Sequence, residues 1–154
     1  MSDWKSAVAV FPARFNLCAY YLDRNLDEGR GSKVALLAGK ERRTFAEVAK
    51  RARLVAGALR RAGVRPEERV LIVLPDRFEF AESFFGVLRA GGVFAMVNPL
   101  LKQDDFAYYV EYSKARVALV LAEAMGEFRP AARAARHLKT VFVVGGDAGG
   151  FTDY

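Results

Sequence analysis

Cys18 is the sole cysteine of the 154 residues and His137 the sole histidine. One cysteine excludes an internal disulfide framework and any multi-cysteine metal site, and Cys18 reads as a small buried apolar residue, the usual state of a free cysteine. His137, in RHLK near an expected helix end, has no visible partners for a zinc set or a catalytic triad. It reads as a helix-terminal surface residue. No apolar run approaches the ~20 residues a membrane-spanning helix needs, and MSDWKSAVAV lacks the basic-then-apolar order of a secretory signal. The expected location is the cytoplasm, with no membrane partner. Phosphate loops are missing as well: there is no G-x-x-x-x-G-K-[ST], and no G-x-G-x-x-G between a strand and a helix.

What is present suits one globular domain. The chain is 53% hydrophobic, 12% aromatic and 27% charged, outside the disordered range. A domain of this size buries roughly 70% of the surface its unfolded chain exposes. The net charge is +6, from 24 basic and 18 acidic residues, an excess that favours anionic partners in general. The basic residues fall in ERR (41–43), KRAR (50–53), RR (60–61) and ARAARHLK (132–139), mostly on polar faces of expected helices. No recognition helix, zinc-finger spacing or aromatic-and-basic RNA-binding strand accompanies them, so nucleic acid is not expected as a partner.

Periodicity orders the chain. Asn16 is a fitting N-cap for a helix in which Cys18, Leu22 and Leu26 recur at i, i+4, i+8, ended by Gly29 and Gly31. KVALLA and RRTF read as the arms of a hairpin. Thr44 and Glu47 match a capping box at the head of a long helix carrying Phe45, Val48, Ala52, Val55 and Leu59, with Lys50, Arg51, Arg53 and Arg60 on its polar face and Gly63 at its C-cap. From residue 69 strand and helix alternate: RVLIVLP, a helix over 77–91, VFAMVNP, a helix over 102–114, RVALVLA, a helical segment over 123–139, then TVFVVGG. The four strands are uninterrupted apolar runs, the mark of a sheet covered on both faces. The fold class is therefore α/β, a doubly wound, mostly parallel sheet with flanking helices and a small N-terminal β-hairpin. The helix over 77–91 is apolar on more than one side and should lie between layers. Ligands in such sheets gather outside the carboxyl ends of the strands, here Pro75-Asp76, Asn98-Pro99, Glu123 and Gly145-Gly146.

The tail GGDAGG (145–150) invites a phosphate-loop reading, but FTDY is too short to supply the following helix, and no cation follows Gly145. It reads as a connection between a strand and whatever comes next.

FNLCAYYLDRNLDEGR (15–30), TFAE (44–47), GVRPEERVL (63–71), GVLRAGGVFAMVNP (86–99) and SKARV (113–117), in that order and spacing, resemble the beginning of an adenylate-forming (AMP-binding) acyl- or aryl-CoA ligase. The opening stretch is most similar to the benzoate-CoA ligase group. The resemblance implies that residues 1–154 form an N-terminal subdomain of a larger ligase. It also implies that ATP, Mg2+ and coenzyme A serve the complete enzyme, with a carboxylic acid, aromatic by the same likeness, as substrate. The Ser/Thr/Gly-rich loop ending in Lys, the aromatic-Thr-Glu stretch, the ribose-binding Asp and the C-terminal Lys of that family have no counterpart here, so no catalytic residue is assigned. Two positions remain. Arg89, just before the glycine pair, corresponds to an arginine that approaches the phosphates of CoA in relatives, although a cation at a helix C-terminus is equally explained by the dipole. Asn98, at the end of what reads as a central strand, is placed facing the ligand crevice, although a turn before Pro99 explains it as well. Two readings follow: an incomplete ligase, inactive alone, whose partner is the remainder of the same enzyme, or a free-standing non-catalytic binding or scaffold module of the same fold. The departure at LKQDD, where Thr or Ser usually opens the helix, leaves Asp104 or Asp105 to supply the capping interaction.

Overall fold

Parallel strands buried on both faces dictate the architecture. The computed structural model describes residues 12–146 and the two-residue strand Thr152–Asp153. A π-helical turn, Ala19–Asp23, runs into a helical turn α1 (Arg24–Asp27) and is followed by the hairpin strands β1 (Val34–Ala38) and β2 (Glu41–Thr44). Next come α2 (Phe45–Arg61), β3 (Arg69–Val73), α3 (Phe78–Ala90), β4 (Val93–Met96), α4 (Gln103–Ser113) and β5 (Val117–Leu121). A 3-10 turn (Ala122–Ala124), α5 (Met125–Ala134), β6 (Thr140–Val144) and β7 (Thr152–Asp153) complete the order. β1 and β2 pair antiparallel. The main sheet runs β4-β3-β5-β6-β7 with every pairing parallel, as the uninterrupted apolar runs require.

Alternate residues of each strand serve opposite faces. Leu71, Val73, Ala118, Val120, Val141 and Val143 pack under α4 and α5, where Phe106 meets Phe128 edge-on at 5.4 Å between ring centroids. Val70, Ile72, Val117, Leu119, Phe142 and Val144 pack under α2 and α3 through Val55, Leu59 and Val87. A third cluster joins Cys18 and Leu22 to Val48, Ala49 and Ala52 of α2, with Phe85 and Leu88 of α3 against it. The helix over 78–90 therefore lies between layers, Phe80 and Phe84 toward the sheet cluster and Phe85 and Leu88 toward the N-terminal one.

Local chemistry sets the element ends. Asn16 Oδ1 accepts from the Cys18 and Ala19 amides at 2.9 and 3.4 Å, and its amide nitrogen donates to the Leu88 carbonyl at 2.8 Å, docking the N-terminal segment on α3. At the head of α2, Glu47 Oε2 accepts from the Thr44 amide at 2.7 Å while Thr44 Oγ1 accepts from the Glu47 amide at 3.3 Å. Those bonds hold the Glu47 carboxyl below its ordinary range. Past the other end of α2, Gly63 takes a left-handed φ of 83°, with Val64 N–H returning to the Leu59 carbonyl. At α4 the Lys102 amide donates to Asp105 at 3.4 Å, and the Gln103 amide to Glu127 of α5 at 3.1 Å, so a neighbouring helix shares the capping.

Four expectations change. The first helix is π-helical over Ala19–Asp23 rather than regular. α5 ends at Ala134 instead of continuing to 139, because Leu138 is buried and the Lys139 amide donates to the Arg116 carbonyl at 2.8 Å, an extended pairing that leads into β6. β4 is an edge strand, not a central one, since the chain recrosses β3 before β5. Part of the polar face of α2 is engaged: Arg51 pairs with the buried Glu82 of α3 at 3.2 Å and Arg60 donates to the Arg89 carbonyl at 2.6 Å. Asp147–Gly150 of the tail lie outside the described residues, and Thr152–Asp153 pair with β6.

α2 and α3 touch at Gly86, where an added Cβ would stand 2.5 Å from Val55 Cγ1 and 2.6 Å from Val55 Cβ. Gly86→Ala should destabilise the fold by about 1–3 kcal/mol, the usual cost of overpacking. The measurement is a lower urea midpoint at unchanged slope, with a smaller loss in a Val55→Ala background. A second prediction concerns acid. Because the folded Glu47 carboxyl titrates below its ordinary value, its contribution is complete above that value and is lost as pH falls through the depressed one. Glu47→Gln should flatten that part of the melting-temperature-versus-pH curve and leave the rest unchanged.

Candidate functional site

The order β4-β3-β5-β6 places the reversal of the sheet between β3 and β5: the chain leaves β3 by α3 on one face and returns from β4 by α4 on the other. In an open parallel sheet the crevice opens outside the carboxyl ends of the strands flanking that reversal. Its walls here are residues 74–77 after β3 and the turn Ala122–Ala124 after β5, with Gly145-Gly146 after β6 beside them. These segments come close together. An added Cβ on Gly146 would lie 2.7 Å from that of Ala122, and one on Gly145 3.6 Å from Arg77 Nη1.

Asp76 and Glu123 are exposed, as strand-end polar residues should be. Arg77, the residue next to the expected Pro75-Asp76 pair, is the cation of this rim and was not singled out from sequence. Its guanidinium forks onto Glu79, Nε to Oε2 at 2.8 Å and Nη2 to Oε1 at 3.3 Å. The signal that marks it is topological: only the strand order shows that the end of β3 flanks the reversal.

Asn98 is exposed one strand away, after β4, and its Oδ1 accepts from the Leu100 amide at 2.9 Å, closing a turn over Pro99. Arg89 lies elsewhere. Helix α3 starts at the carboxyl end of β3 and finishes at the amino end of β4, so Arg89, in its last turn, sits toward the opposite edge from Asn98. The structure does not bring the two together. Arg89 Nη2 pairs with Asp23 Oδ1 at 2.5 Å, holding the π-helical turn against α3. Burial would lower the pKa of the Arg89 guanidinium, but the hydrogen bond and charge of Asp23 outweigh it and the net direction is upward. Burial also pushes the neighbouring Cys18 thiol up, against a smaller opposing pull from Arg89. Cys18 is buried at 1% exposure and behaves as core.

Among the described residues no three His, Cys, Asp or Glu side chains stand together to hold a metal ion. The crevice offers one arginine already paired with Glu79, two exposed carboxylates, Asp76 and Glu123, and a glycine pair with no supporting helix among the described residues. These residues do not fit a Mg2+–nucleotide complex, and they supply no group to activate a carboxylate. No helix among the described residues is long and apolar enough to cross a membrane.

An open, doubly wound α/β layer with its crevice at a strand-order reversal defines a ligand-binding α/β class. Residues 22–152 match the family described as AMP-binding enzyme, and the chain belongs to that family. It is 34% identical over 131 residues to the 4-hydroxybenzoate--CoA/benzoate--CoA ligase of Rhodopseudomonas palustris, a match covering 85% of this chain and 24% of the relative. It is 34% identical over 136 residues to the benzoate--CoA ligase of Thauera aromatica, covering 88% and 26% respectively. The solved benzoate CoA ligase of Burkholderia xenovorans LB400 superposes with a TM-score of 0.78 at 33% identity, over 86% of this chain and 26% of that one. The chain spans about a quarter of the length of these two curated ligases.

Proposed function

We propose that residues 1–154 are the N-terminal subdomain of a longer, cytoplasmic, ATP-dependent aryl- or acyl-CoA ligase, and that this chain alone is inactive. The observation that carries the reading is the match of most of this chain to about a quarter of two benzoate-CoA ligases. In the complete enzyme a carboxylate oxygen attacks the α-phosphate of ATP and expels pyrophosphate; the thiol of coenzyme A then attacks the acyl carbon and AMP leaves. The substrate is an aromatic carboxylic acid, by likeness to those relatives. Nothing in the described crevice performs either step, so the reacting groups, with the Mg2+ and ATP sites, belong to the remainder of the ligase.

Two features support an incomplete body. The outer edge of β4 has no partner strand among the described residues, and Val93 and Met96 on it are 42% and 53% exposed. Beside α2 a largely apolar groove of about 570 Å3, its floor including Leu54, Val55, Leu59, Leu119 and Phe142 with Arg51 and Arg61 also lining it, opens toward β5 and β6. We assign the remainder of the ligase as the occupant of both. Asn98 would face the crevice that the assembled enzyme completes, and Arg89 would approach the phosphates of CoA while keeping Asp23 as its inner partner.

The isolated chain should give no pyrophosphate exchange with ATP and benzoate or a substituted benzoate, and should self-associate with rising concentration in size-exclusion chromatography. Exchange by this chain alone would overturn the proposal, and a strictly monomeric, self-sufficient chain would favour the free-standing module. In the complete ligase Arg89→Ala should weaken apparent CoA affinity about tenfold, the loss of one charge-assisted contact. Asp23→Asn, which leaves the arginine in place, should change it far less. Unchanged affinity in Arg89→Ala removes Arg89 from the CoA site.

A further inference from the structure

The amino-terminal edge of the sheet carries a concentration of positive charge that the ligase reading does not use. Strand register makes it explicit. Val70 stands opposite Val117, and Val117 opposite Thr140, so the residues one step earlier, Arg69, Arg116 and Lys139, form a row across three adjacent strand starts. Backbone bonds hold that row: Arg116 N–H donates to the Arg69 carbonyl at 3.0 Å and Lys139 N–H to the Arg116 carbonyl at 2.8 Å. Neighbouring strands lie about 4.8 Å apart. Like charges set side by side at that spacing are destabilising.

Lys114, Arg136 and His137 complete a cleft of about 380 Å3 around the row, near the small end of the range for ligand sites of about 300–1,000 Å3. Its two carboxylates, Glu67 and Glu68, leave an excess of three positive charges with His137 neutral. Glu68 Oε2 accepts from the Arg65 amide at 2.8 Å and forms a longer ion pair with Arg116 Nε at 3.8 Å. Arg69, Lys114, Arg136 and Lys139 have no carboxylate within 4 Å among the described residues. Arg116 Nε is out of solvent and lacks a hydrogen-bond partner there. Its guanidinium lies across Gly63, where an added Cβ would meet Nη2 at 2.8 Å, so the glycine makes room for this cation.

Backbone strain gathers at the same place. Glu67 and Lys114, both lining the cleft, are the non-glycine residues with positive φ among those described, at 67° and 49°. An excess of like charge, an unmet donor and two residues of left-handed φ in one concave site are features that stay in a protein when a ligand offsets them. We propose that this cleft binds a small oligophosphate anion, with the Arg69–Arg116–Lys139 row spanning successive phosphate groups. Arginine forks match phosphate oxygens bidentately, and several cations in a row favour a linear polyanion over a single phosphate. The cleft has no Phe, Tyr or Trp against which bases could stack, which sets oligophosphate ahead of a nucleic-acid strand.

The test is titration calorimetry of the 154-residue chain with sodium tripolyphosphate, at ionic strength held constant with sodium chloride. Saturable binding is expected, tighter than that of orthophosphate or sulfate, with ATP binding no tighter than tripolyphosphate. Arg69→Gln/Arg136→Gln should weaken it more than tenfold, whereas Lys40→Gln/Arg42→Gln, which removes the same charge from the hairpin, should change it less than twofold. Should the first double variant melt early, Arg136→Gln alone, at an exposed loop position, must still weaken binding severalfold. Equal losses in the cleft and hairpin variants, equal binding of sulfate, stronger binding of a single-stranded oligonucleotide, or no saturable binding would each overturn the assignment.

Discussion

Two-sided burial of β3 and β5 is the constraint from which the rest of the molecule follows. Val70, Leu71, Ile72, Val73, Val117, Ala118, Leu119 and Val120 are all at most 1% exposed. Each larger side chain so buried contributes roughly 1.5–3 kcal/mol relative to exposure, and none of that is gained unless helices lie on both faces. A chain that must cover both faces has to change direction within the sheet. The change falls between β3 and β5, and it leaves both the crevice at one edge and the charged row at the other.

Much of this architecture was legible in the residues. Uninterrupted apolar runs implied parallel, covered strands; Thr44 with Glu47 marked the head of α2; and the split apolar faces of residues 77–91 implied a helix between layers. What escaped depends on partners distant in sequence. The retreat of α5 to Ala134 reflects Leu138 and Lys139 joining the sheet, and the pairing of Arg51 with the buried Glu82 reflects helix packing that periodicity does not encode. Edge or centre is a property of strand order, so β4 read as central until the recrossing was known. The same holds for the site: Pro75-Asp76, Glu123 and the glycine pair were legible as strand ends, but the prominence of Arg77 comes only from the reversal beside it.

Charge is distributed with the same dependence on context. Arg51, Arg60 and Arg89 looked like solvated or helix-end cations in sequence, yet each reaches a group on a neighbouring element: Glu82, the Arg89 carbonyl and Asp23. Periodicity puts the basic residues of 132–139 on a helix face, whereas Arg136, His137 and Lys139 lie past the end of α5 and line a cleft with Arg69 and Arg116. A helix ending a turn early thus converts a solvated stripe into a concave cluster.

The docking of the N-terminal segment sets an order of events during synthesis. Asn16 bonds to a carbonyl 72 positions later and Asp23 pairs with a residue 66 positions later. Cys18 and Leu22 can pack on Val48, Ala49 and Ala52 of α2 beforehand, but the bonds that lock this segment in place need α3 to have emerged and folded. The two long-range bonds close loops of 66 and 72 residues, an entropic cost met only once α2 and α3 offer a surface. The segment from Asn16 to Glu28 thus gains its apolar neighbours from α2 and its polar locks, at Leu88 and Arg89, from α3, two elements that must both be in place before its position is fixed.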